Sequence, residues 1–507
     1  MNTQSRSLNS TRNLFYGLIS QAVTLILQFV SRTIFIYFLG SEYLGVNGLY
    51  GNILNVLSLA ELGIDNVMLF SLYKPIAKND RTKITELLNC YKKIYRIIAV
   101  AVLTVGLALV PFLKYVVNSD LNSRHLILYY LLFLLNSVVS YFVAYKSALI
   151  KADQNTYIIN NNTTIFTIIR HIAQTVFLII TRNYAVYLVI QVICTVLANF
   201  TISKKANRLY PFINEKVPYK LSKIAGLSND IKYAFLYKLS NILIGNTDNI
   251  LISVIVGTVY VGYYSNYSMF IFNISVLINM LVTSVFSSFG NLYAAGEKEK
   301  MYRLFNSSVL FFQWLATACS LCFYTVFNDF ITIWIGKEFV LSNPIVIIII
   351  LNFYNETVLD PLWLYRECMG LFKEIRYIRI YTAVINLVLS VILGKLWGIF
   401  GILISTFIAK SLTFSWYEPY VILKKLGHSV KKYWISQFMY VLFAVLSFII
   451  TVFVCEFIGH SFGCIILKII ISFVISTVIF VLFNIKNPYF IILKNYVHNI
   501  IFKFKKG

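Results

Sequence analysis

Gly40-Ser41-Glu42-Tyr43-Leu44-Gly45 returns as Gly257-Thr258-Val259-Tyr260-Val261-Gly262, residue 257 against residue 40, an offset of 217 residues. Each copy lies at a tight turn between the first two long apolar segments of its half of the chain. Other pairs keep step at nearly the same offset: Ser71-Leu72-Tyr73 with Asn291-Leu292-Tyr293, and Tyr145-Lys146 with Tyr365-Arg366. A membrane chain made twice from one plan, with both copies in the same orientation, points to a carrier that binds its cargo between two lobes.

Of the 507 residues, 59% are hydrophobic and the mean hydropathy is +0.75, above the roughly 45–50% apolar content of soluble domains. The apolar residues come in runs of about 20 or more, the length a helix needs to cross a bilayer. Helices and closed barrels are the structures that satisfy their own backbone in lipid, and runs this long are helical. The pattern predicts an all-α polytopic fold of about fourteen spans. Six lie near 14–39, 44–72, 94–115, 126–150, 158–181 and 184–203. Six more lie near 231–256, 260–292, 304–327, 345–370, 375–393 and 397–423, and a last pair near 435–457 and 462–484. The expected organisation is an N-terminal six-helix lobe (1–203), a basic amphipathic linker (204–230), a pseudo-symmetric second lobe (231–425), two further helices (426–484) and a basic tail (485–507). The polar start Met1-Asn2-Thr3-Gln4-Ser5-Arg6 leads into a span too long for a signal-peptide core, so the first helix is expected to stay as an anchor.

The formal charge is +24, and its placement argues against nucleic acid as the partner. Lys and Arg collect in the loops after even-numbered spans, among them Lys74, Lys78, Lys204, Lys205, Lys298 and Lys424, while the opposite loops are short and nearly neutral. By the positive-inside rule both termini are cytoplasmic. The linker and tail mix these cations with Tyr, Phe and Ile, which suits either a headgroup-level amphipathic segment or a solvated anchor. There is no Walker-type Gly-Lys loop, so the chain is not expected to hydrolyse ATP. Cys319-x-x-Cys322 lies in an apolar helix without a nearby His, so no metal or redox role is expected for it. Cys455 and Cys464 flank a short loop, with free thiols the expected state.

An ionisable group at mid-bilayer costs at least about 2.5–3.5 kcal/mol on insertion scales, so each needs a partner or a function. The deep ones are Arg32, Glu61, Asp65, Arg170 and His171 in the first half, and Lys238, Asp248, Glu356, Asp360 and Lys410 in the second. Lys146 and Arg366 lie nearer the cytoplasmic ends of their spans, where they can snorkel. At about 100° per residue, Gln21, Gln28 and Arg32 share one stripe of the first helix. The repeat offset carries that stripe onto Lys238, Gly245 and Asn249. These stripes either line a cavity or glue helices inside their own lobes. Glu61 with Asp65, and Glu356 with Asp360, lie four apart on one helix face. Such pairs suit a proton or cation site, or else each is neutralised by a neighbouring Lys or Arg. Pro361, following Asp360, is expected to kink its helix. Arg170 and Lys410 sit near mid-membrane, one deep cation per lobe, a disposition that suits an anionic cargo. The structural alternative pairs Arg170 with Glu61, and Lys410 with Glu356.

Short motifs carry a family resemblance. They are Ser10-Thr11-Arg12-Asn13 running into the first helix, Arg32-Thr33 ahead of Leu39-Gly40-x-x-Tyr43-Leu44-Gly45, and Leu62-Gly63-Ile64 in the second helix. On these, with the repeat and topology, the chain resembles the polysaccharide-transporter branch of the multidrug/oligosaccharidyl-lipid/polysaccharide exporter superfamily. Members of that branch are flippases of undecaprenyl-diphosphate-linked oligosaccharide repeat units for O-antigen or capsule. The resemblance implies a MATE-like, V-shaped pair of lobes with two added helices in a bacterial cytoplasmic membrane. It also implies a cationic central cavity and alternating access, driven by a proton or sodium gradient and requiring no cofactor. By position, Arg32, Arg170 and Lys410 map onto cavity cations, with Gln28, Lys238 and Asn249 beside them. Glu61, Asp65, Asp248, Glu356 and Asp360 are the candidate coupling groups.

Two other readings compete. A cation-coupled multidrug exporter uses the same scaffold but needs an acidic pocket. An oligosaccharide polymerase or glycosyltransferase would act on the same lipid carrier. The longest loop on the neutral side, about Asn328 to Pro344, offers it only Asp329 and Glu338 as acids and no His, too little for general acid–base work. The expected partners are therefore a lipid-linked oligosaccharide and membrane lipids, with the pathway's polymerase and glycosyltransferases alongside.

Overall fold

The computed structural model describes residues 3–58, 64–215, 217 and 228–495, with the side chains of 3–20, 64–67, 70, 214, 228–238, 241, 284–288, 291, 294 and 372–373 excepted. The described chain is helical and divides into two compact units, Met1–Gly262 and Tyr263–Gly507.

The first unit holds α1 (Thr3–Leu57), α2 (Ile64–Ala77), α3 (Arg81–Leu109), the short α4 (Leu113–Val116), α5 (Ser123–Tyr141), α6 (Ala144–Ala152), α7 (Thr156–Thr181), α8 (Tyr184–Leu209) and α9 (Ser228–Ile255). Helix α10 (Thr258–Ala294) begins in it and continues into the second unit. There follow α11 (Lys298–Trp334), α12 (Asn343–Cys368), α13 (Phe372–Leu412), α14 (Phe414–Leu426), α15 (Val430–Glu456) and α16 (Phe462–Asn484). Two of these helices are broken internally. Gly40 (φ 82°, ψ −177°) parts α1, and Gly398 (φ 60°, ψ −134°) parts α13. With α1 and α13 each split there, α2, α6 and α14 complete the crossings begun by the helices before them, and the fourteen expected spans are accommodated. Among the described residues, eleven segments are by themselves long and apolar enough to cross a membrane. This is a multi-pass membrane protein.

The first glycine of each repeated hexapeptide makes its turn. Gly40 and Gly257 both have positive φ (82° and 139°), a region that other residues enter only with strain. The second glycines have a different role. A β-carbon on Gly45 would overlap the carbonyl oxygen of Thr258, and one on Gly262 would overlap that of Ser41. The two copies thus meet backbone to backbone inside the first unit, where α9 packs along α1. Ser253 Oγ donates to Val116 O (2.7 Å) and Thr258 N to Asn118 O (2.9 Å), fixing the second copy on the loop after α4.

In lipid, close packing and interhelical hydrogen bonds replace the hydrophobic effect as the force that holds helices together. Accordingly Asn162 Nδ2 donates to Ala198 O (3.1 Å), Asn199 Nδ2 to Val139 O (3.1 Å) and Asn352 Nδ2 to Leu403 O (2.9 Å). Buried tyrosines do the same while filling the core: Tyr50 donates to Leu126 O (2.9 Å) and Tyr130 to Gly106 O (3.0 Å). The start of the linker lies on α3, with Thr85 Oγ1 donating to Phe212 O (3.3 Å) and Asn89 Nδ2 to Glu215 O (3.2 Å). Helix α12 runs on through Pro361 to Cys368, and the seven cysteines are free thiols.

Lys146 and Arg366 do not snorkel. Both are buried, at 8% and 0% exposure. Lys146 Nζ donates to Ser203 Oγ (2.7 Å) and Asn207 Oδ1 (2.8 Å) on α8. Arg366 Nη1 donates to Glu418 Oε1 (2.8 Å), and its Nη2 to Glu367 Oε1 (2.9 Å). Inward partners of matching hydrogen-bonding type hold both side chains.

Candidate functional site

In the first unit, α7 packs against α1 and α8 packs against α7. That packing brings together residues that the sequence presents separately. Arg32 on α1 and Arg170 on α7 both lie within electrostatic reach of the Tyr187 hydroxyl on α8. The surrounding shell is built from short polar side chains. His171, buried at 7% exposure, sets Nδ1 2.9 Å from Ser31 Oγ, and Ser31 Oγ lies 3.5 Å from Thr175 Oγ1. Gln174 Nε2 donates to Tyr187 O (3.0 Å), anchoring the start of α8. Tyr187 stacks on Tyr184, with centroids 6.0 Å apart, and its ring meets Phe35 edge-on at 5.2 Å. Arg32, Arg170 and Gln28 are half-buried. Among the described residues no carboxylate forms an ion pair with Arg170.

On α9, Asp248 is buried at 9% exposure and Asn249 is half-buried. The Oδ1 of Asn249 is shielded from solvent and has no hydrogen-bond partner among the described residues. One turn earlier, Asn246 Oδ1 accepts from Asn55 Nδ2 of α1 (3.3 Å). Lys238, Glu61 and Asp65, all expected to contribute, lie outside the residues whose side chains are described.

In the second unit Lys410 Nζ lies 3.7 Å from Glu356 Oε2, with the lysine side chain largely buried and the glutamate exposed. Asp360, one turn along α12, lies within electrostatic reach of both. The outcome is a two-carboxylate, one-lysine cluster, in which the pairing of Lys410 with Glu356 is realised. Deeper in the same unit sits a cluster of four charges. Arg379 Nη2 reaches Glu418 Oε1 at 2.6 Å, the same oxygen that takes Arg366. The sequence reading missed Tyr187, Gln174 and Glu418. A tyrosine is unremarkable in a chain with 36 of them, and Glu418 stands just before the basic run at the end of α14.

A family model described as "Polysaccharide biosynthesis protein" matches residues 10–290, more than half of the chain. The chain belongs to that family. Its fold is that of known transporters. A structure described as "Lipid II flippase MurJ, inward closed conformation" superposes with TM-score 0.69 at 14% identity, covering 94% of this chain and 99% of that one. An inward-facing multidrug resistance MATE family transporter of the MOP superfamily gives 0.58 at 13% identity, over 81% and 99%. The Vibrio cholerae MATE transporter VcmN in its bent form gives 0.54 at 16% identity, over 84% and 99%. No curated protein sequence matches the chain. At these identities the structural likenesses establish the architecture, a MOP-type helical fold.

Proposed function

We propose that this protein is a flippase that carries undecaprenyl-diphosphate-linked oligosaccharide repeat units across a bacterial cytoplasmic membrane by alternating access. The product would supply O-antigen, capsule or exopolysaccharide assembly. The observation that carries this reading is that Arg32 and Arg170, from two different helices, both lie within electrostatic reach of the Tyr187 hydroxyl. A guanidinium fork matches phosphate oxygens bidentately, so two of them suit a diphosphate. Tyr187, half-buried and backed by the buried Tyr184, offers an amphipathic ring edge for a sugar. Gln28 and Asn249 are further polar candidates of the first unit, with Lys238 proposed beside them from its register alone, and Lys410 is the candidate cavity cation of the second unit. The reading draws further support from membership in a polysaccharide biosynthesis family and from likeness to a structure described as a lipid II flippase.

In this scheme the basic ends of the helices and both termini face the cytoplasm, as the charge distribution favours. Glu356 and Asp360, held near Lys410, are the leading groups for coupling to a proton or sodium gradient, with Asp248, Glu61 and Asp65 as further candidates. The protein performs no covalent chemistry and works beside the glycosyltransferases and polymerase of its pathway.

The test is transfer of a fluorescent prenyl-diphosphate oligosaccharide in proteoliposomes. Arg170→Gln is expected to slow transfer roughly ten- to a hundred-fold, the loss of one or more charge-assisted hydrogen bonds, with protein still inserted and folded. Unchanged transfer in that variant would overturn the phosphate grip. Export of cationic dyes without lipid transfer would assign the chain to multidrug efflux instead.

A further inference from the structure

The internal repeat supplies its own comparison for Lys146. Its counterpart, Arg366, is enclosed with two carboxylates and a second guanidinium: Glu418 accepts from Arg366 and Arg379, and Glu367 from Arg366. Two cations meet two anions there, and that cluster is neutral. Lys146 is nearly as deeply buried, yet both of its hydrogen-bond acceptors, Ser203 and Asn207, are neutral. An ammonium has three N–H donors, and these acceptors take two of them.

The surroundings add positive charge. Lys92 Nζ and Lys146 Nζ lie 6.0 and 5.9 Å from the centre of the Tyr145 ring. Arg96, one turn beyond Lys92 on α3, is within electrostatic reach of the same tyrosine. Among the described residues, Glu215, beside Asn89 of α3, is exposed and forms no ion pair with these cations, and the other carboxylates on and flanking these helices have partners of their own. Glu86 binds Lys83 (2.6 Å), Asp80 caps α3 at Lys83 N (2.9 Å), and Asp153 accepts from Tyr210 (2.7 Å) and Asn155 (3.0 Å). Helices α6 and α8 contain no acidic residue. Among the described residues no carboxylate forms an ion pair with Lys92, Arg96 or Lys146, and a buried cation without a counter-charge is costly.

Apolar surface adjoins the cluster. Ile97 and Val100 follow Arg96 on α3, and Phe200 lies just before Ser203 on α8; all three are exposed. Polar partners therefore give way directly to side chains that would face acyl tails.

We propose that the basic end of the first unit, between α3, α6 and α8, holds the phosphate of an anionic phospholipid headgroup, with Lys92, Arg96 and Lys146 as its cations and Ser203 and Asn207 positioning Lys146. Basic pockets between membrane helices are suited to such headgroups, and the apolar flank selects a lipid over free phosphate. The site is separate from the Arg32–Arg170 cluster and does not depend on what the protein transports.

The experiment is lipid retention by the purified, delipidated protein, read by native mass spectrometry and by thermal shift. The probes are phosphatidylglycerol, phosphatidylethanolamine, inorganic phosphate and a prenyl diphosphate. Phosphatidylglycerol is expected to bind and raise the unfolding temperature, while phosphatidylethanolamine and inorganic phosphate do neither. Lys92→Gln and Arg96→Gln, on the accessible side of the cluster, should each weaken phosphatidylglycerol about five-fold, the worth of one basic residue near an anionic headgroup. The exposed neighbour Lys93→Gln should leave it within about two-fold. Equal retention in wild type, Lys92→Gln and Arg96→Gln would overturn the site. So would stabilisation by inorganic phosphate alone, or a prenyl diphosphate displacing phosphatidylglycerol from wild type.

Discussion

Gly45 lies against the carbonyl oxygen of Thr258 so closely that a β-carbon has no room between them. Gly262 stands in the reciprocal relation to the carbonyl of Ser41. The duplicated hexapeptide therefore does two separate jobs. Its first glycine turns the chain, and its second lets the two copies touch, as small residues do wherever membrane helices approach closely.

Gly45→Ala and Gly262→Ala should each destabilise the protein by about 1–3 kcal/mol, the usual cost of overpacking. Thermal unfolding in detergent, followed by size-exclusion fluorescence, would measure it. Gly51→Ala lies on the same helix with open space around it and should be neutral or slightly stabilising, because alanine is the better helix former. Equal melting of Gly45→Ala and Gly51→Ala would show that the copies do not bear on each other in the folded protein.

Glu418 is 1% exposed and accepts from two guanidinium groups. Glu418→Gln would leave those cations with Glu367 as the one remaining carboxylate of the cluster. Breaking a buried pair in this way costs about 3–5 kcal/mol. The expected result is sharply reduced recovery of folded protein from membranes. Glu86→Gln, which breaks the partly exposed pair with Lys83, should cost about 1 kcal/mol or less.

These two cases mark what was legible in the sequence. The turns at Gly40 and Gly257 could be read directly because positive φ is a local demand that glycine answers. The length of the spans was equally local. The burial of Arg366 could not be read, since its partner Glu418 is 52 residues away on another helix. In a membrane chain, a basic residue near a helix end looks the same whether it reaches outward to headgroups or inward to a carboxylate. At the candidate site, the sequence marked Arg32 and Arg170 as costly in lipid, but their shared nearness to Tyr187 depends on how α1, α7 and α8 pack. The pairing of Lys410 with Glu356 was one of two legible outcomes, and choosing between them needed the distance.

Asp329 on α11 ties down the last helix pair. Its Oδ2 takes Lys468 Nζ of α16 at 2.6 Å, and its Oδ1 lies 2.8 Å from His460 Nδ1 in the loop between α15 and α16. Lys468 is 4% exposed, so Asp329→Asn strands a buried ammonium and should cost about 3–5 kcal/mol. Asp329→Asn with Lys468→Met removes both charges and should recover most of that loss. Unfolding midpoints of the three proteins test this, and a double variant no more stable than Asp329→Asn would contradict it.

Arg32 and Arg170 provide the sharpest test of the transport reading, because one bound diphosphate would join two residues from different helices. If both grip the same group, removing either already spoils its geometry, and the second substitution should add less than the first. In a cycle of Arg32→Gln, Arg170→Gln and the double variant, transfer rates of the prenyl-diphosphate probe should show a coupling of about 1–3 kcal/mol, well above the few tenths expected of independent sites. Tyr187→Phe, which keeps the ring and removes the hydroxyl, should lower transfer less than either arginine change. Strict additivity of the two arginine effects would place them on separate parts of the transport path and leave the diphosphate grip to one of them alone.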